Sequence, residues 1–149
     1  MNPVFRAIVK LHVAVYRLTS GHIGSRFKGG APILLLTTTG RKTGKRRTKP
    51  LLCVEEDSGY AVVASAGGAR KHPAWYLNLR DHPEVEIQVR NRLLPARAET
   101  AGPQDRARLW PKFTAIWPDY DKYQAKTSRQ IPVVILATEA ERPSTASSG

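Results

Sequence analysis

Six short runs rich in aliphatic and β-branched residues, at 33–39, 48–55, 60–65, 84–89, 93–99 and 132–138, most constrain what this chain can fold into. Each has strand length, and glycine, proline and small polar clusters punctuate them, so the pattern predicts a small β-barrel. A chain of 149 residues has room for one domain with a real core and not for two ordinary ones.

Helical periodicity appears in three places, one ahead of the strands and two between them. Val4, Ile8, Leu11, Val15 and Leu18 recur on one helix face, which predicts an amphipathic basic helix within residues 1–28. Its apolar stripe fits either an anionic membrane surface or the domain's own core. Pro73 opens a short helix that runs through Leu79 and stops at His82-Pro83, with Trp75 and Leu79 on a shared face. After Pro103, Trp110, Phe113 and Trp117 follow at helical spacing, and Pro118 breaks the pattern before Tyr120 and Tyr123. The body of the domain is therefore expected over 29–138, with a disordered Ser- and Pro-bearing tail over 139–149.

Charge narrows the partner. The formal net charge is +12, and no Asp or Glu occurs from Met1 to Val54, a stretch that holds eleven of the basic residues. An anionic partner is expected. The single cysteine, Cys53, excludes an internal disulfide framework and suits a reducing cytoplasm. Arg6, Lys10 and Arg17 interrupt the apolar start, so neither a signal peptide nor a transmembrane helix is predicted. His12, His22, His72 and His82 lack metal-ligand spacing, and no metal is expected. The carboxylates of Glu55-Glu-Asp-Ser-Gly-Tyr60 are read as the solvated groups of a hairpin turn.

The Gly40–Lys49 loop is dense in cations, but three residues separate Gly40 from Gly44 and Arg46 follows Lys45, so a nucleotide-triphosphate loop fails on spacing. What remains is a concave site of backbone N–H groups with Arg and Lys to add charge-assisted hydrogen bonds, set against a merely solvated charge run. Ser65 sits in Ala-Ser-Ala-Gly-Gly and not in a nucleophile elbow, which disfavours a hydrolase. Its hydroxyl can serve a bound ring or simply the turn. Tyr120 and Tyr123 lie at i, i+3 and could orient or protonate a carbonyl substrate, or only pack.

Four ordered segments together resemble the deazaflavin-dependent nitroreductase family: Thr37-Thr-Thr-Gly-Arg-Lys-Thr-Gly44, Val63-Ala-Ser-Ala-Gly-Gly68, Lys71-His-Pro-Ala-Trp-Tyr-Leu-Asn-Leu79, and Trp117-Pro-Asp-Tyr-Asp-Lys-Tyr123 followed by Arg129-Gln-Ile-Pro132. The resemblance spans about Gly30 to Leu136. It implies a mainly β, α+β split β-barrel of the FMN-binding type and a reductase that uses coenzyme F420. On these positions it implies that Arg41, Lys42 and Thr43 bind the cofactor's phosphate, with Arg47, Thr48 and Lys49 near the phosphate or the oligoglutamate tail. It places Val63, Ala64, Ser65 and Ala66, and Ala74, Trp75, Tyr76, Leu77 and Asn78, along the deazaflavin ring. Tyr120 then closes the pocket, Ser65 and Tyr123 face substrate beside Trp117, and Ser65, Tyr120 and Tyr123 are the catalytic candidates.

The implied reaction is hydride delivery to a quinone such as menaquinone, a nitroaromatic or an activated alkene. A lipid quinone would explain a basic helix on the inner face of the membrane. Where nitroreductase-type members carry a tyrosine ahead of Tyr120, this chain has Trp117, which lacks the phenolic hydroxyl. Two rivals remain open at this point: a basic barrel that binds nucleic acid, and a split barrel that binds F420, FMN or haem without turnover.

Overall fold

The computed structural model describes residues 26–27 and 31–138. The expected amino-terminal helix face and the tail from residue 139 lie outside the described residues. Among the described residues, seven strands, β1 (Arg26–Phe27), β2 (Ala31–Thr39), β3 (Arg46–Glu56), β4 (Gly59–Val63), β5 (Glu84–Val89), β6 (Arg92–Thr100) and β7 (Val133–Thr138), accompany three α-helices. These are α1 (Ala74–Asp81), α2 (Pro103–Ile116) and α3 (Asp119–Lys126).

The strands run β1-β2-β3-β4-β7-β6-β5, and a further pairing of β2 with β5 closes six of them into an antiparallel barrel. Closure leaves those six strands paired on both sides, which removes the exposed edges of an open sheet. β2 serves both seams: Leu35 to Thr37 pair with β5, while Ile33 to Thr39 pair with β3. Pro95 lacks a backbone N–H, and it lies in β6 just before the residues, Ala96 to Thr100, that bond β7.

Period-two alternation sorts the side chains. Leu34 and Leu36 of β2, Val62 of β4, Val85 and Ile87 of β5, Ala96 and Ala98 of β6, and Val134 and Leu136 of β7 form one buried cluster inside the barrel. Trp75, Tyr76 and Leu79 of α1 join it. The opposite faces of β4 and β7, through Ala61, Val63 and Val133, pack on Leu109 and Phe113 of α2 and Tyr120 of α3. Burying a side chain such as Leu34 or Phe113 contributes roughly 1.5–3 kcal/mol, so the two clusters account for why the helices dock where they do.

The six expected strands form within about two residues of the expected bounds. Arg26–Phe27, counted with the helical amino-terminal segment in the sequence, instead pairs with Ala31–Pro32 of β2. The third expected strand ends at Val63 and not at Ser65, because positive φ angles at Ala66, Gly67 and Gly68 turn the backbone out of the sheet. The hairpin carboxylates differ among themselves. Glu55 and Asp57 are exposed, whereas the Glu56 side chain is only 4% exposed and accepts hydrogen bonds from the Ser58 backbone, the Ser58 hydroxyl and Arg108.

Candidate functional site

Two backbone turns and two aromatic groups make up the site. The first turn joins β2 to β3. The Gly40 N–H donates to the Lys45 carbonyl at 2.7 Å, the Gly44 N–H donates to the Gly40 carbonyl at 2.8 Å, and the Thr43 hydroxyl accepts from the Lys45 N–H at 3.2 Å. Asn78 of α1 fixes the turn from behind: its Oδ1 accepts from the Arg41 N–H at 3.0 Å while its Nδ2 donates to the buried Thr38 hydroxyl at 3.3 Å. The Lys42 and Thr43 N–H groups meet no acceptor among the described residues. Arg41, Lys42, Lys45, Arg46 and Arg47 are exposed and appear in none of the ion pairs among the described residues. A hydrogen-bonded turn with uncommitted N–H groups and exposed cations outside any ion pair has the chemistry to receive a phosphate or a carboxylate chain.

Sheet register divides the remaining basic candidates. Arg47 lies opposite Thr38 and Lys49 opposite Leu36, so both stand on the face that leads into the barrel. Thr48 stands on the other face, and its hydroxyl shares a 2.8 Å hydrogen bond with Thr37. The structure therefore groups Arg47 and Lys49 and separates Thr48 from them.

The second turn follows β4. Ala66, Gly67 and Gly68 have φ angles of 46°, 63° and 82°, a left-handed run stitched by Gly68 N–H to Ser65 carbonyl at 2.9 Å and Ala69 N–H to Ala66 carbonyl at 3.1 Å. Alanine in this region is strained by about 1–2 kcal/mol, and such strain concentrates at functional sites. The N–H groups of Ala66 and Gly67 meet no acceptor among the described residues, which leaves two donors for a carbonyl oxygen. A Cβ on Gly68 would lie 2.7 Å from the Tyr123 carbonyl oxygen, so the turn touches the backbone of α3. Ser65 and Tyr123, separate in the sequence, thus belong to one locality.

The aromatic candidates are placed unequally. Tyr120 is buried edge-on to Phe113 at 5.9 Å and to Tyr123 at 6.0 Å. Burial, then the neighbouring Tyr123 and Cys53, pushes its phenol well above the usual tyrosine range, so it stays protonated and cannot act as a base. Tyr123 is half-buried, and its hydroxyl accepts from Trp117 Nε1 at 3.3 Å. Trp75 is buried with the barrel core, edge-on to Tyr76. Tyr76 is engaged at its ring and its hydroxyl: His72 lies 4.8 Å from its ring, Arg80 lies 5.6 Å from the ring centre, and its hydroxyl bonds Thr100 at 2.8 Å. Val63 points into the outer cluster and Ala64 into the barrel, while Ala74 is exposed and Leu77 half-buried.

Two residues without an assigned role in the sequence also belong here. Arg129 reaches the second turn, and His72 Nδ1 lies 3.1 Å from its guanidinium. Their separation of 57 residues explains why no local pattern reveals the pair. Burial, then the charges of Arg129 and Arg80, hold the His72 pKa below its ordinary 6.5. The unfolded chain therefore takes up the proton first as pH falls. Stability from neutral His72 is present above pH 6.5 and is lost as pH drops through the lowered folded value. Thermal unfolding of the wild type should weaken between about pH 7 and pH 5 more than that of His72→Gln, which keeps an acceptor for Arg129 and cannot titrate. Parallel curves for the two proteins would exclude His72 as the source.

A closed six-stranded antiparallel barrel carrying a cation-rich turn and a second, N–H-bearing turn is the architecture of split-barrel proteins that hold a phosphorylated, ring-bearing cofactor. Comparison with known proteins sharpens this. The model of the F420H(2)-dependent quinone reductase family matches residues 8–138, and the chain belongs to that family. An F420H(2)-dependent quinone reductase of Mycobacterium tuberculosis is 43% identical over 132 residues, which cover 87% of this chain and 89% of the relative. Among solved structures, the F420-H2 dependent reductase FDR-A has 45% identity and a TM-score of 0.65, covering 70% of this chain and 93% of its own. A domain-swapped dimer at 37% identity has a TM-score of 0.68 and covers 91% and 99%. The protein is accordingly an oxidoreductase whose cofactor is coenzyme F420.

The donor set suits that cofactor. Exposed cations around the uncommitted Lys42 and Thr43 N–H groups would suit a phosphate with an acidic tail, and the two uncommitted N–H groups of Ala66 and Gly67 on a strained turn would suit the carbonyl of a ring.

Proposed function

We propose that this enzyme reduces a quinone. The observation that carries the reading is the Gly40–Lys45 turn, pinned by Asn78, lying on the same barrel as a left-handed turn held against Tyr123. Arg41, Lys42 and Thr43, with Arg47 and Lys49, hold the cofactor's phosphate and acidic tail. The Ala66 and Gly67 N–H groups orient the ring through a carbonyl, and Trp75 and Asn78 support the site from α1. When bound, the reduced deazaflavin supplies the hydride, and the protein contributes proximity and charge placement. Ser65 and Tyr123 face the acceptor, where a hydroxyl or water delivers the proton that completes reduction. Tyr120, buried and protonated, forms the wall behind them.

Quinones come before nitroaromatics in this reading, because Trp117 brings no phenol and spends its N–H on Tyr123. A lipid-borne quinone fits a peripheral position on the inner membrane face, reached through the apolar stripe of residues 4–18 and the basic residues that flank it in the sequence. No helix among the described residues is long and apolar enough to cross a membrane.

The test is fluorescence titration with F420, followed by addition of a menaquinone analogue while cofactor oxidation is monitored. The wild type should bind and turn over. Arg41→Ala combined with Lys42→Ala should weaken binding by roughly tenfold to a hundredfold and flatten its salt dependence, since each exposed, salt-screened contact contributes about 0.5–1.5 kcal/mol. Unchanged affinity in the double variant would place the anion site elsewhere.

A further inference from the structure

Arg129 has an unusual set of partners. Its Nε donates to the Ala69 carbonyl at 2.8 Å, one terminal nitrogen donates to the Ser65 carbonyl at 2.8 Å, and the other lies 3.3 Å from the Ala64 carbonyl and 3.1 Å from His72 Nδ1. Three backbone oxygens that bracket the left-handed turn are thus drawn onto one planar fork. None of these partners is a carboxylate, and the half-buried guanidinium forms no ion pair among the described residues. An arginine placed only to staple a loop would be equally served with an acid beside it.

The fork is itself held in place. Gln124 of α3 donates to the Arg129 carbonyl at 2.8 Å and accepts from the Ile131 N–H and from Arg106, both at 2.9 Å. Arg106 donates to the Ile131 carbonyl at 3.0 Å and lies over Trp110 at 4.4 Å. Two helices therefore hold the segment carrying Arg129, and this segment holds the turn.

We infer that Arg129 is a positioning residue for the ring: by gathering the carbonyls of Ala64, Ser65 and Ala69 to one side, it leaves the Ala66 and Gly67 N–H groups and its own charge to a ring carbonyl that carries negative charge. The inference rests on the reading that F420 binds at this turn. A charge-assisted fork also offsets the strain of Ala66, since such bonds are about twice as strong as neutral ones. His72, neutral and accepting through Nδ1, keeps the guanidinium in register without cancelling its charge.

The experiment compares wild type, Arg129→Gln and Arg129→Lys by thermal unfolding, by F420 affinity, and by pH titration of the absorbance of the bound oxidised cofactor. Arg129→Gln should bind about tenfold more weakly and raise the apparent pKa of the bound chromophore by about one unit, because the anionic ring loses a nearby cation. Arg129→Lys keeps the charge without the fork; it should lose affinity similarly and shift the chromophore by much less. If Arg129→Gln does not fold, the Lys variant decides through its affinity. A chromophore pKa unmoved in Arg129→Gln, or Lys affinity within twofold of wild type, would overturn the inference while wild-type binding leaves the functional reading standing. A wild type that binds no F420 overturns both.

Discussion

Gly68→Ala should destabilise the protein by about 3 kcal/mol and strip most of its cofactor affinity. Two costs add. The native φ of 82° is one that alanine adopts only with strain of about 1–2 kcal/mol. The new Cβ would also lie 2.7 Å from the carbonyl oxygen and 3.0 Å from the Cα of Tyr123, and backbone cannot rotate away as a side chain can. Relieving that overlap means moving α3, at the roughly 1–3 kcal/mol typical of overpacking. Gly67→Ala is the internal control. It has a similar φ of 63° but nothing within 4 Å of the new Cβ, so it should lose only about 1 kcal/mol. In a thermal scan the Gly68 variant should melt roughly 6–12 °C lower than wild type. Equal melting of the two alanine variants would mean that the turn and α3 are not packed as described.

Asn78→Ala should lose about 3 kcal/mol of stability and about tenfold in F420 affinity. The substitution strands two groups at once, the buried Thr38 hydroxyl and the Arg41 N–H, and each unsatisfied group costs about 1–3 kcal/mol. The affinity loss follows because Arg41 begins the turn proposed to bind the cofactor's phosphate and would no longer be held. Asn78→Asp separates the two effects. Its carboxylate can still accept from the Arg41 N–H, so the turn stays anchored, but a negative charge behind an anion site should weaken binding regardless. Full affinity in both variants, measured by titration at fixed salt, would show that the turn holds its shape without α1.

Strand positions were legible where alternation was clean. Glu84-Val-Glu-Ile-Gln-Val states its own inward face, and β5 forms over those residues. The order of strands was not legible, because β7 inserts between β4 and β6 through pairings as distant as Gly59 with Ala137, and no local pattern encodes them. The Arg41–Thr43 turn was visible as glycine-flanked charge. The separation of Thr48 from Arg47 and Lys49 follows from period-two alternation, yet the contiguous run of basic and polar residues obscured it. Trp75 illustrates a different limit. Its helix was evident from Pro73, but which cluster its ring enters depends on packing that only the closed barrel defines. Arg129 was hidden most completely, since its acceptors lie up to 65 residues away.

The insertion of β7 between β4 and β6 also carries a consequence for synthesis. A nascent chain can pair β2 with β3, β3 with β4 and β5 with β6 as each hairpin emerges, because those partners are close in sequence. It cannot join β4 to β6 until residues through Thr138 have left the ribosome. Until then β4, buried at every position in the finished barrel, stands unpaired on one side and open to chaperones or to a neighbouring chain. The segment that delivers Arg129 to the Ser65 turn leads directly into β7. With cofactor binding at the proposed turn, competence to bind arrives with β7, and bound F420 on ribosome-released chains would report completed barrel closure.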